Sequence, residues 1–295
     1  MTVDLFPTFD RRWIEVNGVK IFTRKGGHGR PLLLLHGHPQ TQAIWHKVAQ
    51  QLAKNRTVVM TDLRGYGDSD KPLGDVEHLN YSKRVMSQDQ VGVMHQLGFD
   101  EFDVIAHDRG ARVAHRMALD FPGAVRRLIL LDVAPTLAMY EQTTEQFARS
   151  YWHWFFLIQP SPMPERLIQA NPEAYVKEVM GTRSSGLAPF DVRALAEYVR
   201  CLQLPGAAHG LCEDYRASAS IDLVHDRQDV RKGNVLKQPL LVLWGEQGVV
   251  HQCFQTLNEW RKVAKNVQGL VLPCGHYIAE EAPELLLQHA DFLEN

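Results

Sequence analysis

Short apolar runs alternate along the chain with longer stretches in which apolar residues recur every three or four positions. The short runs predict β-strands, and the longer stretches predict amphipathic helices. Asn17 and Gly18, between the first two runs, are typical of a tight hairpin turn. The predicted strands are 13–16, 19–24, 32–35, 57–60, 102–105, 125–131, 239–244 and 267–272.

Helical periodicity separates most of these strands, and the predicted helices are 43–53, 82–97, 111–120, 252–264 and 283–293. This order predicts an α/β protein with a doubly wound, mostly parallel sheet of about eight strands. Residues 137–224 interrupt the rhythm with aromatic residues and prolines but no strand pattern. We therefore expect a core of residues 1–136 and 225–295, and a helical cap of residues 137–224 over the carboxyl ends of the strands, where ligands bind in such sheets.

The composition narrows the classes of function. At 295 residues with 45% hydrophobic content, the chain can bury a large core. Its 32 basic and 34 acidic residues leave no basic field for nucleic acid and no polybasic membrane anchor. No apolar run approaches the length of a membrane span, and no signal peptide is recognised. Four cysteines without Cys-x-x-Cys spacing suggest reduced thiols, so we expect a cytoplasmic protein.

The chemistry centres on Asp108, in the sequence Ala-His-Asp-Arg-Gly that follows a predicted strand and precedes a helix. Small residues on both sides of a nucleophile at such a turn are typical of the α/β-hydrolase nucleophile elbow, here with Asp in place of the more usual Ser. A carboxylate can attack carbon directly and form an ester. The alternative is that Asp108 only caps the following helix. Ser69 has no strand before it, which disfavours a serine esterase.

Hydrolysis of an aspartyl ester needs a base that activates water. His276 follows the last predicted strand and gives the chain order of nucleophile, acid and histidine. A histidine with a purely structural role is the alternative. Two acids could orient it: Asp132, directly after the strand 125–131, and Glu246, in a glycine-bounded loop. We favour Asp132, and exchanging each acid for its amide would decide between them.

Two further groups of residues flank the nucleophile. His38, in the loop after the strand 32–35, lies where a backbone N–H can face an oxyanion built on Asp108. The spacing of His36 and His38 could also suit a metal, but no carboxylate or cysteine is nearby, so we expect none. Arg109 and Arg112 are three residues apart, and their guanidiniums suit a substrate carboxylate. The alternative is that they pair with Asp108 or with surface acids.

In the predicted cap, His153, Trp154 and Tyr215 could donate hydrogen bonds to a ligand. Aromatic stretches in an insertion more often serve as packing. From the residues alone, packing is therefore the favoured interpretation of all three.

Taken together, these motifs resemble the haloacetate dehalogenases of the α/β-hydrolase fold, and fluoroacetate dehalogenase in particular. The resemblance runs over nearly the whole chain, and His-Asp-Arg-Gly together with Trp-His-Trp is its most specific part. The matching segments are residues 36–40, 62–67, 107–110, 131–132, 151–154 and 214–217.

The resemblance implies a role for each candidate. Asp108 would be the nucleophile, His276 the base and Asp132 its acid partner, whereas Arg109 and Arg112 would hold the substrate carboxylate. The cap donors His153, Trp154 and Tyr215 would bind the departing halide. It also implies a small haloacid as the binding partner, no cofactor, and hydrolysis of a 2-haloacid to a 2-hydroxyacid. A homodimer is compatible with the sequence, which leaves the oligomeric state open.

One position departs from the pattern, because such enzymes often have Phe where this chain has His38, so the preferred halide stays open. An epoxide hydrolase would use the same Asp108 and His276, but it would typically have Trp at the position of Arg109. An uncharged epoxide also has little use for two guanidiniums. A non-catalytic ligand-binding member of the fold is a more remote alternative, since such proteins tend to lose one of the three catalytic residues.

Overall fold

The structure is a computed structural model that describes residues 4–183 and 185–294. An eight-stranded sheet forms its centre, with the strand order β1-β2-β4-β3-β5-β6-β7-β8. β2 pairs antiparallel with both β1 and β4, and the other five strand pairings are parallel. The strands are β1 Asp10–Val16, β2 Val19–Gly27, β3 Arg30–Leu35, β4 Arg56–Thr61, β5 Phe102–His107, β6 Val125–Leu131, β7 Leu240–Gly245 and β8 Val267–Leu272.

Fifteen α-helices surround the sheet in the described part of the chain. They are α1 Ala49–Leu52, α2 Lys83–Gln96, α3 Asp108–Asp120, α4 Thr136–Glu141, α5 Glu145–Ser150, α6 Trp152–Leu157, α7 Met163–Ala170, α8 Pro172–Gly181, α9 Val192–Leu202, α10 Ala207–Ala219, α11 Ile221–Lys232, α12 Val249–Cys253, α13 Thr256–Val263, α14 Ile278–Glu281 and α15 Pro283–His289. Short 3-10 helices cover Gln42–Lys47, Leu79–Tyr81 and Ala290–Leu293.

Alternate residues of the central strands enter two separate apolar layers, as the period-two geometry of a strand requires. On β3, Leu33 and Leu35 pack into one layer, whereas Leu32 and Leu34 pack into the other. All four side chains are fully buried. Apolar character on both faces is what a parallel sheet covered by helices needs. The predicted α/β fold with about eight strands is therefore confirmed.

Several predicted helices are divided in the structure. The single helix expected over 252–264 is two helices, α12 and α13, because Phe254 adopts an extended conformation and inserts its ring against Phe147, with 5.1 Å between ring centroids. The segment 43–53 begins as a 3-10 helix before α1. Burial of an aromatic ring thus outweighs helix continuation between α12 and α13.

Eight helices, α4 through α11, lie between β6 and β7. The division that we expect between residues 224 and 225 falls inside α11, which continues to Lys232. We refer to α4 through α11 as the cap. In the described part of the chain, none of the helices combines the length and apolar character that crossing a bilayer requires.

Candidate active site

The candidate nucleophile lies at the junction of a strand and a helix. β5 ends at His107 and α3 begins at Asp108, whose φ of 45° is in the left-handed region. Non-glycine residues adopt that region only when the surroundings hold them there, and such strain is typical of functional sites. The backbone N–H of Gly110 donates to the carbonyl of His36 at 2.8 Å, and a Cβ on Gly110 would lie 2.5 Å from that oxygen. The turn therefore requires glycine at position 110.

The carboxylate of Asp108 faces the loop that follows β3. Its Oδ1 accepts a hydrogen bond from the backbone N–H of His38 at 2.9 Å, and a Cβ on Gly37 would lie 2.8 Å from the same oxygen. The start of α3 has no side-chain cap hydrogen bond, so Asp108 does not serve as the helix cap. Oδ2 accepts no hydrogen bond from the residues that the structure describes, which leaves it free to react.

Charge keeps Asp108 ionised although it is buried. Burial opposes the charge, but neighbouring His276 and the guanidiniums of Arg109 and Arg112 outweigh it, so the pKa of Asp108 lies far below its usual range. An ionised carboxylate in a nearly dry site is a much better nucleophile than a hydrated one. The electrostatics therefore suit attack by Asp108 on an electrophilic carbon.

His276 and Asp132 form a tightly coupled pair. His276 Nδ1 lies 2.5 Å from Asp132 Oδ2, and both side chains are buried. Asp132, which follows β6 with a φ of 47°, also accepts a hydrogen bond at Oδ1 from the backbone of Gly245 at 2.9 Å. Glu246, the other acid considered, is exposed. Since Nδ1 is held by Asp132, Nε2 is the ring atom left to exchange a proton.

Arg109 is buried in an ion pair with an acid that sequence reasoning left without a role. Asp214, on α10, accepts from Nε at 2.7 Å and from Nη2 at 3.0 Å. Nη2 also donates to Ser218 Oγ at 2.5 Å, and the guanidinium lies 4.0 Å from the centroid of the Tyr215 ring. Only Nη1 lacks a partner among the described residues. A cap acid therefore fixes the orientation of Arg109.

Arg112 differs from Arg109 because no described carboxylate forms an ion pair with it. Its guanidinium donates to the carbonyl of Ala134 at 3.2 Å and to Thr136 Oγ1 at 2.9 Å, and it lies 4.7 Å from the centroid of the Trp154 ring. Burial and the neighbouring charge of Arg109 lower its pKa, and the attraction of nearby Asp108 does not outweigh them. Nε has no partner among the described residues. Arg112 thus has unbalanced charge beside Asp108.

The three predicted cap donors lie together. His153 and Trp154, on α6, are buried, and so is Tyr215 on α10. The Tyr215 ring lies 5.9 Å from His153 and 6.1 Å from Trp154, measured between centroids. Trp154 Nε1 and the Tyr215 hydroxyl have no hydrogen-bond partner in the described part of the chain. Buried donors usually have an acceptor, so these two could donate to a bound ligand or to water.

His38 adds a polar ring to this group. Its imidazole stacks on His153 at 5.6 Å between centroids, with 5° between the planes. Nε2 lies 3.0 Å from the hydroxyl of Tyr175 on α8. Burial lowers the pKa of His38 to about 3, so the ring is neutral. Sequence reasoning missed Tyr175, because nothing local to α8 indicates a contact 137 residues away.

Arg183 is a second residue that sequence reasoning missed. Its guanidinium lies 4.3 Å from the centroid of the Tyr151 ring, and the Tyr151 hydroxyl is 3.4 Å from His276 Nδ1. Within residues 4–183 and 185–294, its buried Nη1 has no hydrogen-bond partner and no carboxylate pairs with Arg183. The surrounding Gly-Thr-Arg-Ser-Ser-Gly segment carries no pattern that would have indicated this position. The cap therefore supplies a further positive charge near the pair formed by His276 and Asp132.

Residues that could hold a metal lie elsewhere. Within the described residues, ligand atoms of Asp68, Glu197 and Cys201 come within 4.8 Å of one another. Arg200 pairs with Asp68 at 2.8 Å and with Glu197 at 2.7 Å. An ion-pair network accounts for this cluster.

Comparison with known proteins agrees with this geometry. The family model of the alpha/beta hydrolase fold matches residues 30–283. The chain is 43% identical to the fluoroacetate dehalogenase of Burkholderia sp over 281 residues, which cover 95% of this chain and 92% of that protein. It is 32% identical to the soluble epoxide hydrolase of Corynebacterium sp. (strain C12) over 279 residues, 93% of each chain.

A solved structure described as an alpha/beta hydrolase from Nostoc sp PCC 7120 superposes with a TM-score of 0.92 at 52% identity, covering 97% of this chain and 98% of that one. The family model matches well over half of the chain, and each of these relatives covers more than nine-tenths of it. The chain therefore belongs to the alpha/beta hydrolase fold family and is a hydrolase similar to fluoroacetate dehalogenase.

Proposed function

We propose that this hydrolase removes halide from small 2-haloacids and releases the 2-hydroxyacid through an ester on Asp108. The observation that carries the proposal is the buried guanidinium of Arg112, which has no carboxylate partner among the described residues and lies beside ionised Asp108. A buried cation without a counter-ion is costly, and a substrate carboxylate would balance it. Similarity to a fluoroacetate dehalogenase at 43% identity supports the same reaction class.

In the first step, the substrate carboxylate binds Arg112 and the free Nη1 of Arg109. This holds the α-carbon beside Asp108 Oδ2, the oxygen that accepts no hydrogen bond from the described residues. Oδ2 attacks the α-carbon, an ester bond forms, and the carbon–halogen bond breaks with its electron pair on the halide. Because two guanidiniums hold the substrate in the geometry needed for attack, less entropy is lost in the reaction step and its barrier is lower.

The leaving halide needs stabilisation that develops as the bond breaks. Trp154 Nε1 and the Tyr215 hydroxyl are buried donors without acceptors in the described structure, and His153 lies between Tyr151 and His38. Donors fixed before the reaction lower the barrier because they need no reorganisation when charge appears. These three side chains form the proposed halide site.

In the second step, His276 takes a proton from water at Nε2 while Asp132 holds Nδ1. The resulting hydroxide attacks the carbonyl carbon of the Asp108 ester. The backbone N–H of His38, which donates to Oδ1, remains on that oxygen as it gains charge. Collapse releases the 2-hydroxyacid, restores the Asp108 carboxylate and leaves the proton on His276 for release to solvent. No cofactor takes part in this scheme.

A second candidate function is epoxide hydrolysis by the same Asp108 and His276. It is favoured by the 32% identity to a soluble epoxide hydrolase and by the buried, unpartnered Tyr215 hydroxyl, which could donate to an epoxide oxygen. Arg112 argues against it, because a neutral epoxide leaves that charge unbalanced. Substrate assays separate the two reactions directly.

The test is halide release from fluoroacetate and chloroacetate, measured beside diol formation from styrene oxide. We expect halide release and no diol, with activity lost in Asp108→Asn. Diol formation without halide release would assign the epoxide reaction. Binding of haloacid with turnover of neither substrate would make the chain a ligand-binding member of the fold and overturn the proposal.

A further inference from the structure

His38 stands on the halide side of the proposed site, at a position to which the family resemblance assigns no polar role. Its backbone N–H donates to Asp108, and its ring lies next to two of the proposed halide donors. The ring is parallel to His153 at 5.6 Å and edge-on to Tyr215 at 5.1 Å. An imidazole in this place can contact a leaving group displaced from Asp108.

The hydrogen bond to Tyr175 determines which ring nitrogen of His38 carries the proton. Burial raises the pKa of Tyr175, so its phenol stays protonated, and His38 Nε2 is its one hydrogen-bond partner among the described residues. If Nε2 donated to the phenol oxygen, both the phenol O–H and the unprotonated Nδ1 would lack a partner among the described residues, whereas the opposite direction leaves only Nδ1–H without one. The phenol therefore donates to Nε2, and the neutral ring has its proton on Nδ1.

Nδ1 of His38 is buried and has no partner in the described structure. It joins Trp154 Nε1 and the Tyr215 hydroxyl, two unpartnered donors of the same group. A buried donor without an acceptor costs free energy unless a ligand accepts from it. Because its neighbours are the proposed halide donors, the matching acceptor is the halide.

We propose that Tyr175 and His38 form a specificity pair, in which Tyr175 fixes the proton on Nδ1 and Nδ1–H donates an additional hydrogen bond to the departing halide, favouring fluoride. The inference rests on the proposed haloacid reaction. Fluoride is the smallest halide and the strongest hydrogen-bond acceptor, and the carbon–fluorine bond needs the most help to break. A further donor that acts in the transition state therefore benefits fluoroacetate more than chloroacetate.

The experiment measures kcat/KM for fluoroacetate and chloroacetate and compares the ratio between variants. Tyr175→Phe removes one hydroxyl, and His38→Phe removes the donor but keeps an aromatic ring. We expect either substitution to lower the fluoroacetate-to-chloroacetate ratio about tenfold, the effect of losing one hydrogen bond to a charged group. The double variant should lower the ratio no further, because both changes remove the same donor.

Two further variants separate this role from packing. His38→Asn places an amide N–H near the position of Nδ1, and this donor does not depend on Tyr175. The variant should therefore keep most of the wild-type fluoroacetate-to-chloroacetate ratio. Adding Tyr175→Phe to it should not change that ratio. Tyr81→Phe is the matched control, since it also removes one tyrosine hydroxyl with a hydrogen bond, here to the carbonyl of Pro72 at 2.7 Å and not to His38. It should leave the ratio unchanged.

An unchanged ratio in Tyr175→Phe and His38→Phe would overturn the inference. So would a parallel rise in KM for both haloacids, which would assign Nδ1 to the substrate carboxylate. These results are distinct from failure of the proposed function, in which the unaltered protein would release neither halide.

Discussion

The carboxylate of Asp214 on the cap holds two nitrogens of Arg109 on the core, at 2.7 and 3.0 Å. Lys83 pairs with the same carboxylate, and Tyr66 donates to it at 2.5 Å. The charge of Arg109 is therefore largely balanced before any substrate binds. Arg112 has no such partner among the described residues, so the two arginines have different tasks. In the proposed mechanism, Arg109 would orient the substrate through Nη1, which has no partner among the described residues, and Arg112 would supply the charge that binds the substrate carboxylate.

This difference predicts a binding defect in Arg112→Gln. Removing the charge should raise KM for chloroacetate about 10- to 100-fold, the loss expected for a hydrogen bond between charged groups. Steady-state chloride release measures it. Arg149→Gln is the control, because Arg149 is exposed and pairs with Glu145 on the surface. Equal KM values in Arg112→Gln and Arg149→Gln would contradict the carboxylate-binding role.

The covalent mechanism predicts where oxygen from water appears. In a single turnover in H₂¹⁸O, the label should enter the side chain of Asp108 and be absent from the first 2-hydroxyacid released, because Asp108 supplies the product oxygen. Mass spectrometry of the peptide containing Asp108 measures the incorporation. Label in the first product molecule would instead indicate direct attack by water on the substrate.

The pairing of His276 with Asp132 predicts unequal effects of two amide substitutions. Asp132→Asn should lower kcat about 10²- to 10⁴-fold by disturbing the tautomer and orientation of the base. The Asp108 ester should then accumulate, detectable as a mass increase on intact protein. Glu246→Gln, which changes an exposed acid, should leave kcat unchanged. The reverse ranking of the two variants would assign Glu246 as the orienting acid.

The positive charge of Arg183 on the cap is expected to help bind the anionic substrate. Arg183→Gln should raise KM for chloroacetate several-fold, because a buried cation near the site attracts anions. Arg183→Lys should restore most of the affinity, since it keeps the charge. The same KM in wild type and in Arg183→Gln would limit Arg183 to packing against Tyr151.

Glu280 predicts a pH-dependent stability. Burial raises its pKa from 4.5 to about 8, and it accepts hydrogen bonds from Gln40 and from Tyr198, the latter at 3.1 Å. Between those values the unfolded chain releases the proton and the folded chain keeps it, so stability falls as pH rises through this range. The free energy of unfolding should therefore drop between about pH 5 and pH 8 by about 4 kcal/mol, which lowers the melting temperature by roughly 8 °C.

In Glu280→Gln this part of the decline should disappear, because the titrating group is gone. Glu284→Gln, an exposed neighbour, should retain the wild-type decline. Parallel melting curves for wild type and Glu280→Gln across this pH range would refute the assignment.

The strands were predictable because they are short runs that are apolar on both faces, such as Leu32–Leu35 on β3. The position of Asp108 followed from the strand before it and from Gly110. Interruptions within helices were not predictable, since the break at Phe254 depends on a distant partner ring.

Within the site, the sequence indicated the residues at strand ends but not what holds them. Asp214 is 105 residues from Arg109 along the chain. Its ion pair with Arg109 forms only because α10 lies against α3 in the folded protein. The contact between Tyr175 and His38 is similarly remote. Contacts between cap and core depend on the tertiary arrangement, which local periodicity does not encode.

Five buried polar atoms around Asp108 have no hydrogen-bond partner among the described residues: His38 Nδ1, Arg109 Nη1, Arg112 Nε, Trp154 Nε1 and the Tyr215 hydroxyl. Each such group costs about 1–3 kcal/mol of folding stability. Replacing them with apolar residues of similar shape would therefore be expected to make a more heat-resistant protein with an inert centre. Selection for thermal stability alone would therefore favour substitutions at these five positions before others. A heat-resistant variant that is meant to stay active has to keep these five residues unchanged.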